Sequence, residues 1–206
     1  MLRAIVSLFV VSLALGATAC SAAQTDHASA GSAKVIVLDD NASQLRDDFN
    51  RAKGSVRLLL IVDPICPTCL RGLADVDASL LSKTHDTRVQ TFVVHMPVIG
   101  AKATDVSPAA ELLHNPNVHN YWNASGNFGR LAGNALQLRQ GDKTVYAWDV
   151  WIVYGPDAVW QSGPPTPDLL MHQLPTLPAK QFLDADAFAA KAQALLNHLP
   201  ARAKAN

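Results

Sequence analysis

The sequence predicts an α/β protein in which a mixed central sheet is flanked by helices. Three observations lead to this class. A continuous apolar run, Val56–Val62, has the composition of a strand buried on both faces, and a helical pattern and a second apolar run, residues 89–94, follow it. A strand–helix–strand unit of this length implies two parallel strands with a right-handed crossover. Near the carboxyl end, a strand–turn–strand pattern predicts an antiparallel hairpin, and an amphipathic helix follows.

The elements of the first half have clear boundary signals. Residues 34–38 form a short strand candidate, and Asn41-Ala42-Ser43 offers a cap for a helix that runs to Ala52. After the first apolar run, apolar side chains recur at helical spacing at Leu70, Leu73, Val76 and Leu80. This second helix is expected to end before Thr84.

The second half is less regular. Residues 95–123 are expected to form an irregular insertion that contains one short helix, because prolines and asparagines interrupt it. A further helix is predicted over residues 128–138. The hairpin strands are predicted at residues 145–154 and 158–161, around a Gly-Pro-Asp turn. The closing helix is marked by Asp184 as its cap and by an apolar stripe at Ala185, Phe188, Ala192, Leu195 and Leu199.

The motif Cys66-Pro67-Thr68-Cys69 follows the first predicted buried strand after three residues, and it is the segment for which the sequence predicts a chemical function. A Cys-x-x-Cys pair between a strand and a helix is typical of redox sites. Unpaired amide groups and the positive dipole end of a first helical turn stabilise a thiolate, which makes Cys66 the expected nucleophile. Cys69, one turn on, lies close enough to form a disulfide with Cys66 or to resolve a mixed one.

Two other uses of the cysteine pair remain. Half of a zinc site would need a second Cys pair or closely spaced His ligands, and the sequence offers neither, which argues against zinc. A purely structural disulfide is the second alternative, although so short a ring constrains the unfolded chain little. The spacing and the strand context therefore favour a redox or soft-metal role.

The first 33 residues have the composition of an export segment. Arg3, an uncharged run over residues 4–15 and the small residues after it predict a signal peptide over residues 1–19. The sequence Ala17-Thr18-Ala19-Cys20 resembles the lipobox of bacterial lipoproteins, so Cys20 is predicted to be lipidated and to anchor the protein to a membrane. Ordinary cleavage after Ala19 fits the same residues. Lipidation accounts for the odd number of three cysteines, because it leaves only the motif pair.

The rest of the composition narrows the partner classes. Residues 20–33 are predicted to be a flexible tether, and residues 34–200 a folded domain. Lys plus Arg and Asp plus Glu both number 17, so no net charge steers the protein to nucleic acid. The predicted location is the bacterial periplasm, an oxidising compartment in which other exported proteins are the expected partners for thiol–disulfide exchange.

The element order and the CPTC motif together resemble the thioredoxin-like superfamily. The resemblance spans roughly residues 34–199, and only the CPTC motif is specific to it. It implies thiol–disulfide exchange in which Cys66 attacks and Cys69 resolves. Together with the export segment, it points to the exported bacterial thiol–disulfide oxidoreductases and to the copper-handling branch of the superfamily.

The chain departs from the family just before the predicted hairpin. Thioredoxin-like enzymes usually carry a cis-proline there, facing the cysteines and the substrate chain, whereas this sequence has Ala147-Trp148-Asp149-Val150. Asp149 is therefore predicted to lie close to the sulfurs and to serve as a base for Cys69. An Asp that only caps a turn is the alternative. Trp148 and Val150 are the predicted substrate-binding residues.

Loss of the proline keeps metal binding as an alternative, because by family analogy that residue guards the sulfurs. Copper(I) takes thiolate, imidazole and thioether ligands. His95 and Met96 follow the second parallel strand at the same sheet edge, so the predicted ligands are Cys66, Cys69 and His95. A hydrogen-bonded structural role for His95 is the alternative. Three functions follow: an exported oxidoreductase, a copper(I) carrier or metallochaperone, or a non-catalytic thioredoxin-like binding module.

Overall fold

The computed structural model describes residues 34–200, and a six-stranded sheet forms their centre. In chain order the strands are β1 (Val35–Val37), β2 (Val56–Val62), β3 (Val89–His95), β4 (Val118–Trp122), β5 (Arg139–Gln140), β6 (Lys143–Thr144), β7 (Val150–Tyr154) and β8 (Leu169–His172). The helices of at least five residues are α1 (Ser43–Arg51), α2 (Pro67–Ser79), α3 (Val106–Ala110), α4 (Asn127–Ala135) and α5 (Ala185–Asn197).

The strands of the central sheet run in the order β1-β4-β3-β2-β7-β8. The first four are parallel to one another, and β7 and β8 are antiparallel to their neighbours. Strands β5 and β6 form a separate short hairpin. The predicted class, a mixed central sheet flanked by helices, is confirmed.

Strand β2 lies inside the sheet between β3 and β7, and all seven of its residues are buried. This is why its sequence is an almost continuous apolar run rather than an alternating one. Helix α2 begins after a four-residue connection, with Pro67 in the first turn, where a missing amide hydrogen is tolerated. Both elements therefore form as predicted, and together they place the CPTC motif at the carboxyl edge of the sheet.

Two hydrophobic cores cover the faces of the sheet. One lies under α2 and α5 and includes Leu73, Val76 and Phe188. The other lies under α1 and α4 and includes Phe49 and Phe128. The predicted cap of α5 is confirmed, because the Asp184 carboxylate accepts a hydrogen bond from the Ala187 amide at 2.9 Å.

The second strand of the hairpin was predicted wrongly. Residues 158–161 contain no strand, and β7 pairs instead with β8. The segment is held by side chains: the Asn50 side chain donates to the Trp160 carbonyl and accepts from the Trp160 amide, both at 2.8 Å. The Gly-Pro-Asp turn therefore opens a long connection rather than a tight hairpin.

The prediction of an irregular insertion over residues 95–123 was also partly wrong. Its last part is strand β4, which pairs in parallel with both β1 and β3. The pattern was hard to recognise because β4 carries the polar residues His119 and Asn120 between apolar ones. The insertion thus widens the sheet by one strand.

The predicted signal peptide, the tether and the lipidation site at Cys20 lie outside the described residues 34–200. Within that range, none of the helices combines the length and the apolar character that crossing a bilayer requires.

Candidate redox site

The two motif cysteines lie at the start of α2. Cys66 is the N-cap residue of this 13-residue helix, with extended backbone angles, and its carbonyl accepts from the Leu70 amide at 2.9 Å. The Cys66 amide donates to the Asp63 carbonyl at 3.2 Å. The sulfur of Cys66 therefore lies at the positive end of the helix, as the motif predicts.

The two sulfurs differ in their surroundings. Both residues are free thiols in this structure; Cys66 is 5% exposed, whereas Cys69 is completely buried. Burial raises the pKa of the Cys69 thiol, and the nearby Asp149 carboxylate raises it further. Cys69 therefore keeps its proton in the resting dithiol. The predicted disulfide between the two residues stays a prediction.

Asp149 lies where the sequence places it, beside the cysteine pair. One of its carboxylate oxygens and the sulfurs of Cys66 and Cys69 lie within 4.8 Å of one another, and all three residues are buried. Asp149 has a left-handed backbone, with φ 51°, immediately before β7. Its catalytic role remains a prediction, but its position close to both sulfurs is a structural fact.

Three side-chain donors hold the Asp149 carboxylate. Oδ2 accepts from Thr68 Oγ1 at 2.8 Å, and Oδ1 accepts from Trp151 Nε1 and Gln173 Nε2, each at 3.0 Å. Since a carboxylate only accepts, the Thr68 hydroxyl hydrogen is directed to Asp149. The contact of 3.1 Å between Thr68 Oγ1 and Cys66 Sγ is then donated by the thiol. Thr68 thus connects the sulfur of Cys66 to the buried carboxylate of Asp149.

Gln173 was missed by the sequence analysis. It follows β8, its amide donates to the Asp149 carbonyl at 3.0 Å, and its side chain also donates to the Thr68 carbonyl at 3.1 Å. The only sequence signal that could have located Gln173 is the pattern of strand β8 just before it, and the sequence analysis did not recognise that strand.

Asp63 was also missed. It is completely buried, and its carboxylate accepts from the Ile65 amide at 2.9 Å and from the Ile99 amide at 2.8 Å. The carboxylate therefore connects the segment before Cys66 to the loop after β3. Ile65 and Ile99 are both exposed, so apolar surface lies near the motif.

The two predicted substrate-binding residues have different positions. Trp148 is half-buried and packs against both cores, so part of the residue lies at the surface. Val150 is completely buried in the core under α1 and α4, and its backbone lies between Ile61 and His172 in the sheet. Its side chain has no surface to offer a substrate, so this assignment does not fit the structure for Val150.

The predicted copper ligand His95 is not brought into the cysteine group. Among the described residues, the group of potential ligands at the site is Cys66, Cys69 and Asp149. His95 is completely buried, and its Nε2 lies 3.1 Å from Asn120 Oδ1. Met96 is likewise buried, and its sulfur accepts from the Tyr146 hydroxyl at 3.7 Å. The imidazole predicted as the third copper(I) ligand is therefore not part of the His, Cys, Asp and Glu group that residues 34–200 form at the cysteines.

The burial of His95 predicts that the free energy of unfolding of this protein depends on pH. Burial lowers the pKa of His95 to about 4, and its Nδ1 has no hydrogen-bond partner. The unfolded state, with a pKa near 6.5, binds the proton first, so stability is complete above pH 6.5 and is lost as the pH falls toward 4. The contribution of His95 to this loss is about 3 kcal/mol. Urea unfolding of wild type and His95→Gln across pH 4–7 measures it, because glutamine can still donate to Asn120 but does not titrate. Parallel pH profiles of the two proteins would contradict the prediction.

Comparison with known proteins gives matches only at the level of structure. No protein-family model matches the chain, and no curated protein matches it. One similar structure is a secreted disulfide oxidoreductase of Mycobacterium tuberculosis that is homologous to E. coli DsbE. It is 14% identical, with a TM-score of 0.42 over 70% of this chain and 85% of that one. Another is a candidate protein disulfide isomerase from Bacteroides thetaiotaomicron, 14% identical, with a TM-score of 0.44 over 73% of this chain and 77% of that one. These values describe a likeness of fold, and the function of this chain depends on its own site.

Proposed function

We propose that this thioredoxin-like protein is an exported thiol–disulfide oxidoreductase in which Cys66 attacks and Cys69 resolves. The observation that carries the proposal is the unequal burial of two thiols at one helix start. Cys66 caps α2 and has a small exposed area, whereas Cys69 is completely buried one turn further on. A substrate sulfur can therefore reach Cys66 but not Cys69.

The reaction consists of two exchanges of sulfur. The Cys66 thiolate attacks a substrate disulfide, forms a mixed disulfide and releases one substrate thiolate. Cys69 then loses its proton and attacks the sulfur of Cys66, which releases the second substrate thiolate. Two electrons have passed to the substrate, and the protein holds a Cys66–Cys69 disulfide. The reverse sequence introduces a disulfide into a substrate dithiol.

The surroundings of the sulfurs support this division of roles. The amide groups at the start of α2 stabilise negative charge on Cys66 during attack and when it leaves. Asp149 lies within 4.8 Å of Cys69 and accepts its proton in the resolving step. The Trp151 and Gln173 donors keep the carboxylate in place while this happens.

The compartment and partners follow from the leader sequence. Export of the mature domain, with attachment through Cys20, places the site where substrate proteins carry disulfides. The exposed part of Trp148 and the exposed Ile65 beside Cys66 give these substrates an apolar rim. A copper(I) carrier using the same sulfurs receives less support, because the third donor beside them is a carboxylate oxygen.

A trapping experiment tests the proposal. Purified mature protein is expected to reduce or oxidise a disulfide-bonded peptide in a glutathione buffer. Cys69→Ala should accumulate a mixed disulfide between Cys66 and the peptide, detectable by mass spectrometry, and Cys66→Ala, the matched control, should form none. Equal adducts on both variants would contradict the assigned roles. No cycling together with a reduction potential below about −300 mV would instead indicate a fixed disulfide in a binding module.

A further inference from the structure

We propose that the reduced protein binds a divalent metal ion of the zinc class through Cys66 Sγ, Cys69 Sγ and a carboxylate oxygen of Asp149. Binding does not depend on the redox activity proposed above. It depends on the convergence of these three donors at the start of α2, from two separate parts of the chain.

The three donors lie near enough to one another to reach a single tetrahedral ion. Their ligand atoms lie within 4.8 Å of one another. Ligands around a tetrahedral zinc ion, at about 2.0–2.3 Å from the metal, lie about 3.4–3.8 Å apart. Side-chain rotations that bring the atoms together by about 1 Å complete the site.

The hydrogen bonds of Asp149 leave one lone pair of its carboxylate available for coordination. Oδ1 already accepts two donors, from Trp151 and Gln173, whereas Oδ2 accepts only the Thr68 hydroxyl. One lone pair of Oδ2 therefore remains for a metal ion. The bonds to Oδ1 act as an outer shell that fixes the orientation of the ligand.

The charge and softness of the donors select the class of ion. Two thiolates and a carboxylate bring three negative charges into a buried site, which is costly unless they are compensated. A divalent ion cancels two of these charges and copper(I) only one. A carboxylate is also a hard ligand, and zinc accepts sulfur and oxygen together, whereas copper(I) favours soft donors.

The sequence argued against zinc because no second Cys pair and no closely spaced His residues accompany the motif. That argument considered local spacing and did not include Asp149 as a third ligand. Asp149 lies far along the chain from the motif, and its approach to the sulfurs depends on the pairing of β7 with β2. With three protein ligands supplied by the described residues 34–200, the fourth position stays open there, next to the slightly exposed Cys66. The site is therefore of the open type rather than the closed structural type.

One consequence rests on the proposed function: bound metal and disulfide exchange exclude each other. Coordinated thiolates cannot attack a disulfide freely. When a substrate disulfide takes two electrons from the two thiolates, the Cys66–Cys69 bond forms and the ion leaves with its charge unchanged.

Cobalt(II) and zinc titrations of the reduced mature protein test the binding. Cobalt is expected to bind one ion per chain, with a thiolate-to-cobalt band in the near ultraviolet and visible bands of a tetrahedral ion, and zinc should displace it. Asp149→Asn should keep the thiolate band but weaken zinc affinity by at least about 10- to 100-fold, which is the loss that removal of an outer-shell partner alone causes. Cys66→Ser/Cys69→Ser should bind no cobalt. Asp77→Asn is the matched control. Asp77 is a buried carboxylate on α2, the helix at whose start the cysteines lie, and it accepts hydrogen bonds from His114.

Several results would overturn the proposal. These are an absent cobalt band, an Asp149→Asn affinity equal to that of wild type, or an equal loss in Asp77→Asn. X-ray absorption of the zinc-loaded wild type, which needs no variant, should show two sulfurs at about 2.3 Å and oxygen at about 2.0 Å. A shell without two sulfurs would be decisive against it. Because none of these measurements uses disulfide exchange, failure of the metal site is distinguishable from failure of the oxidoreductase proposal.

Discussion

Replacing Arg57 with alanine is expected to lower the free energy of unfolding by about 3–5 kcal/mol. Arg57 is completely buried in β2, and its guanidinium donates to the carbonyls of Phe49, Ala158 and Gly155. Its charged group also lies 4.4 Å from the centre of the Phe49 ring. Alanine would remove the guanidinium donors from these carbonyls, of which Gly155 would keep only a 3.4 Å bond from the Ala158 amide, and would leave a large cavity.

The charge of Arg57 persists in the folded state. Burial lowers the pKa of Arg57 to about 10, so the group remains protonated at neutral pH. Urea unfolding monitored by circular dichroism measures the change. Arg57→Lys keeps the positive charge but not the several N–H donors of the planar guanidinium. Its free energy of unfolding should therefore lie between those of wild type and Arg57→Ala. Arg51→Ala, at an exposed ion pair with Asp48, is the control and should cost at most about 1 kcal/mol. If Arg57→Ala lay within that range too, the predicted role of Arg57 would be wrong.

Gly72→Ala is expected to destabilise the protein by about 2–3 kcal/mol, although alanine is the better helix former. A Cβ at Gly72 would lie 2.4 Å from Trp151 Cζ2 and 2.8 Å from Gln173 Nε2. Both side chains hold Asp149, so a shift of either one disturbs the carboxylate as well as the packing. The clash therefore outweighs the gain in helix propensity.

The exposed face of the same helix provides the control. Ala74→Gly changes only helix propensity and should cost about 1 kcal/mol. Thermal unfolding of the two variants separates the effects. A Gly72→Ala protein more stable than wild type would mean that the indole moves aside without loss, and the close packing inferred here would be incorrect.

How far the sequence predicted the fold depended on how each element is buried. Strand β2 is buried on both faces, so its apolar run was recognisable, whereas β8 is only partly buried and lies at the edge of the sheet. The Gly-Pro-Asp turn suggested a short hairpin, but the bonds of Asn50 to Trp160 come from a distant helix that no local pattern contains.

The site follows the same rule. Cys66 and Cys69 were found because their spacing is local, and Asp149 because it stands where a proline was expected. Gln173 and Asp63 act through contacts between separate loops, which have no local sequence signal. His95 does end β3 opposite Val62, at the predicted edge. The strand register determines where the backbone of His95 lies, but it does not determine where the ring points. The ring lies next to Asn120.

The left-handed backbone of Asp149 also restricts how this site can be engineered or can evolve. Aspartate and asparagine tolerate a φ of 51°, and glycine adopts it without strain, whereas proline is held near −65°. A single exchange of Asp149 for proline would thus have to rotate the chain just ahead of β7, where the next residue already pairs with two strands. Conversion to the proline-bearing arrangement would therefore require several coordinated substitutions.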